Sequence, residues 1–142
     1  MKLEIELTNS GLKSKSFSTQ EKEIEYASGG STPILLYEAE TDTVTTISQP
    51  GGPVGVDKTF EYSNTVRKVK TGDIIITYTD GLVETLNERG EQYGSETVKN
   101  LIKMNHNKSG KDITNIIKTD MKNFCTTATR YDDQTLLVIK IQ

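Results

Sequence analysis

The chain has 142 residues, 33% of them hydrophobic and 26% charged, with a formal net charge of −3. That length suits one domain with a lean core, and the mildly acidic balance lacks the concentrated basic face that nucleic-acid binding requires. A single cysteine, Cys125, excludes an internal disulfide and a cysteine-rich zinc site, and a single histidine, His106, excludes zinc sites built from several imidazoles.

The first candidate strand is carried by Leu3, Ile5 and Leu7, which alternate with polar or charged residues. Ile24 and Tyr26 repeat that alternation up to the turn signal Ser28-Gly29-Gly30. Pro33 to Tyr37 reads as a short apolar strand, and Thr41-Asp42-Thr43 as the turn into another, Val44 to Ile47. Gln49 to Val56 is a Gly- and Pro-rich loop whose Gly51-Gly52 reads as a structural turn, since its spacing is unlike a dinucleotide fingerprint. Phe60 to Val69 then reads as a long strand, followed by a tight reversal at Thr71-Gly72-Asp73. The run Ile74 to Tyr78 has no polar alternation, which predicts a strand buried on both faces. Lys13 and Lys15, like Lys68 and Lys70, sit at alternate positions and read as solvated strand faces.

Two helices follow. Ser95 is placed to cap the first, with Val98, Leu101 and Ile102 on one face. Ile113, Ile116, Ile117, Met121 and Phe124 form the apolar stripe of the second, which leaves Cys125 a packed, inert thiol at its end. His106 falls in the polar stretch between them and reads as a loop residue. Thr135 to Ile141 closes the chain as a buried strand. Strands grouped ahead of helices and closing on a strand predict an α+β domain, residues 1–142, with helices packed on one face of mainly antiparallel sheet. No stretch is long and apolar enough for a signal peptide or a membrane span, so the expectation is a cytoplasmic chain with no membrane insertion.

The carboxylates carry the chemistry. Asp80 follows the buried run and precedes Gly81, while Asp132 and Asp133 precede the closing strand. Both sets lie at ends of central strands, where a rigid scaffold can deliver oxygen ligands to a hard divalent cation such as Mg²⁺ or Mn²⁺. On spacing alone, a plain turn at Asp80-Gly81 and a strand-breaking loop at Asp132-Asp133 have the edge over a metal site.

Resemblance shifts that balance. Val69 to Gly94, VKTGDIIITYTDGLVETLNERGEQYG, resembles the signature segment of the sporulation-protein-E branch of the PPM (protein phosphatase 2C-like) family. Tyr131 to Ile141, YDDQTLLVIKI, resembles that family's closing "DDxT" strand. YASGGSTPILLY is similar to its strand–turn–strand element, and PGGPVGV to its "GxPLG" loop. Taken in order they cover roughly Ile24 to Ile141. The resemblance implies the C-terminal portion of a metal-dependent serine/threonine protein phosphatase domain, a partial αββα sandwich with a two-metal centre of Mn²⁺ or Mg²⁺. It also implies Asp80 and Asp132 as metal ligands, Gly81 as the residue that lets the backbone pass close to the metal-bound water, and Asp133 as an outer residue that fixes the turn. The implied partner is a phosphorylated, anti-anti-sigma-like regulatory protein in bacterial signalling.

Two features depart from the family pattern. The glycine–histidine turn is Gly29-Gly30 here, without its histidine. The N-terminal metal-binding elements "GD(Y/F)xD" and "D(V/A)xGHG" have no match, and Met1 to Glu23 contains no aspartate, only Glu4, Glu6, Glu21 and Glu23. An under-coordinated metal site and an open sheet edge are expected. Three readings stay open: a piece of a longer chain with a missing N-terminal segment, a catalytically inactive pseudophosphatase that binds a signalling partner, or a homodimer in which a second copy covers the edge.

Overall fold

The computed structural model describes residues 12–15, 22–48, 51–125 and 133–142. The strand expected at Leu3 to Leu7 and the ligand candidate Asp132 lie outside these residues. Two antiparallel sheets form: β1 (Leu12–Lys15), β2 (Glu23–Ser28) and β5 (Thr65–Lys68) in the order β1-β2-β5, and β3 (Ile34–Glu38), β4 (Thr43–Ile47), β6 (Ile74–Tyr78) and β7 (Leu136–Lys140) in the order β4-β3-β6-β7. The helices are α1 (Asp80–Val83), α2 (Ser95–Asn105) and α3 (Gly110–Cys125).

The alternation of side chains along the strands builds two cores. On one face of the four-stranded sheet, Leu35, Tyr37, Ile74, Ile76 and Tyr78 meet Val98 and Ile102 of α2 and Ile113, Ile117 and Met121 of α3. On the other face, Ile34, Leu36, Ile47 and Ile75 meet Ile24 and Tyr26 of β2, with Val69 and Ile141. The result is a layered α+β sandwich: helices, four-stranded sheet, three-stranded sheet. β6 is apolar on both faces because it serves both cores, as its unbroken run of β-branched residues implies.

Polar groups fix the strand ends. Buried Asp73 accepts the backbone N–H of Ala39 at 2.9 Å and of Lys70 at 2.8 Å, closing the turn ahead of β6. Asp42 takes a left-handed conformation (φ 52°) in the β3–β4 turn, and its carboxylate accepts the buried Tyr37 hydroxyl at 3.1 Å. The α2 C-terminus is closed by Lys140, whose ammonium donates to the carbonyls of His106 at 2.7 Å and Lys108 at 2.9 Å. The His106 ring stacks on Tyr37 with centroids 5.1 Å apart, which gives this residue a packing role beyond that of a loop position.

Three local expectations are corrected. The strand expected from Phe60 to Val69 is confined to Thr65–Lys68, which pairs with Glu23 to Tyr26 of β2 and stops two residues short of the end of β2. Ahead of it, Phe60 and Tyr62 pack edge-to-face. Ser95 is the first helical residue of α2, and its cap is Gly94, whose φ of 77° turns the chain out of the buried Tyr93. Lys70 lies past β5 in the following turn, ion-paired with Glu40, and not on a strand face.

A candidate metal site where two strand ends meet

Asp80 is delivered by the most deeply buried strand. β6 ends at Tyr78, Thr79 is extended (φ −91°, ψ 155°), and Asp80 opens the single turn of α1. Leu82 plugs that turn into the helix-side core, so Asp80 is left facing outward and exposed. One carboxylate oxygen accepts the N–H of Gly81 at 3.1 Å.

The segment leading into β7 lies directly alongside. The antiparallel register pairs Tyr78 with Leu136, and the next pair continues beyond the strands: Thr79 N–H donates to the Thr135 carbonyl at 3.1 Å. The Thr79 hydroxyl donates to the Asp133 carbonyl at 3.0 Å and accepts the N–H of Thr135 at 2.9 Å. Gln134 reaches in the opposite direction, its amide donating to the Gly81 carbonyl at 3.2 Å and to the Thr85 hydroxyl at 2.7 Å. That hydroxyl donates in turn to the Gly81 carbonyl at 2.7 Å. Asp80, Gly81 and Asp133 are thus brought to one sheet end.

The two upstream motifs converge on the same end. The Thr32 hydroxyl, just past the Gly29-Gly30 turn, donates to the Tyr78 carbonyl. Gly51 lies against the Ser28 carbonyl so closely that a Cβ built on it would stand 2.2 Å from that oxygen. Gly30, at φ 88°, faces the Pro53 backbone. Tyr62 closes the loop from outside, its hydroxyl donating to the Gly52 carbonyl at 3.1 Å.

The donor chemistry suits a hard cation, since carboxylate and backbone oxygens gather here. The donor number does not complete a site: no group of three or more His, Cys, Asp or Glu side chains able to hold a metal occurs among the described residues. Thr79, Thr85 and Gln134, which join the two aspartate-bearing segments, escape sequence reading. Their hydroxyl and amide groups follow no period, and position 134 is the variable "x" of the closing motif.

The family model for stage II sporulation protein E (SpoIIE) matches residues 15–142. No curated protein matches the chain. Among solved structures, the phosphatase domain of the cell fate determinant SpoIIE from Bacillus subtilis, presoaked with Mn, is 18% identical with a TM-score of 0.68, covering 100% of this chain and 56% of that one. The SiaA-PP2C domain of Pseudomonas aeruginosa is 14% identical with a TM-score of 0.73, over 89% of this chain and 50% of that one. The RsbU and RsbW domains of Rv1364c from Mycobacterium tuberculosis give 21% identity and a TM-score of 0.66, over 94% and 37%. The fold is therefore that of the PP2C phosphatases, and the chain spans little more than half the length of the first of these structures (56%).

Proposed function

This chain belongs to the SpoIIE family of PPM-type phosphatase domains, and from that premise we propose that it forms the C-terminal part of a metal-dependent protein serine/threonine phosphatase domain, residues 1–142 acting as one unit. The observation that carries the reading is the convergence of all four motifs on the sheet end where the Asp80 turn and the segment entering β7 are hydrogen-bonded together.

In this reading Asp80 and Asp132 hold part of a two-metal centre of Mn²⁺ or Mg²⁺. The metals, when bound, activate a water for attack on phosphorus and neutralise phosphoryl charge. The chain's own residues shape the place where that happens. Thr79 fixes the two aspartate-bearing segments to each other, and Gly81 lets the backbone pass close to the reacting water. Asp133 holds the turn through its carbonyl, which takes the Thr79 hydroxyl at 3.0 Å. The remaining ligands come from outside the described residues, on a preceding segment or a second copy. No cysteine or histidine nucleophile is needed, in keeping with the composition.

The proposed substrate is phosphoserine or phosphothreonine on an anti-anti-sigma-like regulatory protein. A relative that carries RsbU and RsbW domains supports a signalling setting. No helix among the described residues is long and apolar enough to cross a membrane.

The test is Mn²⁺ titration by calorimetry on this chain and on Asp80→Asn, with hydrolysis of a phosphoserine peptide followed in parallel. Mn²⁺ binding abolished by Asp80→Asn is the expected result, with turnover appearing where the remaining ligands are supplied. Binding that is indifferent to Asp80 overturns the assignment, and Asp80-dependent binding without turnover when those ligands are supplied leaves a binding module in place of an enzyme.

A further inference from the structure

We propose that Gln134 is a positioning residue for the Asp80 ligand, acting through a three-way hydrogen-bond closure with Gly81 and Thr85; this rests on the metal-site reading above and deepens it. α1 is only four residues long, Asp80–Val83. A single helical turn has no stability of its own, because fixing its dihedrals yields too few hydrogen bonds. Its orientation is therefore set by whatever grips it from outside.

Two grips are present at its start and core. At its start, Thr79 binds the Asp133 carbonyl at 3.0 Å and both backbone groups of Thr135. Leu82 anchors its inner side in the helix-side core. The far end of the turn is held by backbone bonds from the Gly94 N–H to the Val83 carbonyl at 2.9 Å and from the Tyr93 N–H to the Thr85 carbonyl at 2.8 Å. What remains to be fixed is the Gly81 carbonyl, on the side facing β7. Gly81 presents its carbonyl, which accepts the Thr85 hydroxyl at 2.7 Å and the Gln134 amide at 3.2 Å. The same amide also donates to the Thr85 hydroxyl at 2.7 Å, so donor and acceptor roles close a triangle. Thr85 is buried and Gln134 half-buried, which shields these bonds from competing water.

A carbonyl only accepts, so the group facing Gly81 from the β7 side must be a donor, and the Gln134 amide supplies it. Gly81 follows Asp80 directly and donates its N–H to that carboxylate at 3.1 Å, so fixing the carbonyl on the far side of Gly81 constrains, across that one residue, the N–H that the Asp80 carboxylate accepts.

The test uses this chain with Gln134→Met, which keeps length and volume but removes the donor, and Thr85→Val as a second, independent break of the triangle. Mn²⁺ affinity is read by calorimetry, amide exchange of residues 81–85 by mass spectrometry on the metal-free chain, and fold integrity by circular dichroism. Each single variant is expected to lower Mn²⁺ affinity by about tenfold, the range for residues that orient metal ligands. Exchange at residues 81–85 should rise without a rise in β3 or α3, and the double variant should lose no more affinity than either single one. Wild-type affinity in both variants, with Asp80→Asn still abolishing binding, overturns the positioning role and leaves the site intact. If Asp80→Asn also binds as wild type, the site reading itself fails, and the inference falls with it.

Discussion

A methyl group added to Gly51 would press on the backbone of Ser28, with 2.2 Å to its oxygen and 2.8 Å to its carbonyl carbon. Ser28 is held by its pairing with Leu12 of β1. Gly51→Ala is therefore expected to destabilise the fold by about 1–3 kcal/mol, the usual penalty for overpacking, measured by urea unfolding. An unchanged midpoint would mean that the loop shifts freely and does not support the turn at Gly29-Gly30. The turn of this loop lies at residues 54–56, with Gly55 at φ 88°, and not at Gly51-Gly52; at Gly51 the constraint is close approach between two backbones, which the sequence did not disclose. Asp80 and Asp133 stood out in the sequence as acids at the ends of apolar runs, and the resemblance is what singled them out from ordinary turns. Asp73 and Gln134 were not singled out, because a polar residue beside a turn looks the same whether it faces solvent or closes a network.

The two long helices show what periodicity conveys. Ile113, Ile117 and Met121 of α3 are buried as their spacing implies, with Phe124 packed alongside. The start of α3 is fixed by Ser109, whose hydroxyl accepts the Asp112 N–H at 3.1 Å and donates to the Asp112 carboxylate at 2.6 Å. Ser109→Ala should lower stability by about 1 kcal/mol through loss of this cap, seen as a lower melting midpoint and faster amide exchange in the first turn of α3. A melt indistinguishable from wild type would assign the helix start to packing alone. β5 was legible only in part, because the length of a strand depends on pairing with a partner distant in the chain. Its outward Val66 remains 55% exposed.

Across the whole molecule, the helix-side core contains Tyr37, Tyr78 and Tyr93, and burial pushes the ionisation of each upward. Hydrogen bonds to Asp42 and Asp120 add to the shift at Tyr37 and Tyr93. The protonated phenols are thus favoured in the folded state over the unfolded chain. Their contribution is fully present below the ordinary tyrosine value of about 10 and is lost as pH rises past it towards the raised folded values. From neutral pH up to that value the tyrosines leave the urea midpoint steady, and above it the midpoint should fall, with Tyr93→Phe making the fall shallower. A midpoint level into strong alkali would show that these phenols ionise without cost to the fold.

β3 and β6 pair Leu35 with Ile76, Leu36 with Ile75 and Tyr37 with Ile74, and both of their faces are apolar. A slip of one residue between them would exchange one greasy surface for another and bring almost nothing polar inside, so the hydrophobic pattern barely penalises the error. What distinguishes the right alignment is a pair of polar latches at opposite ends: the Thr32 hydroxyl on the Tyr78 carbonyl, and the Asp73 carboxylate on the Ala39 N–H. A chain that mispaired here would pass as native in compactness and helix content. It would still present the Asp80 turn about 3.3 Å out of place, so the faithfulness of the site depends on two small polar contacts that contribute little to the bulk of either core.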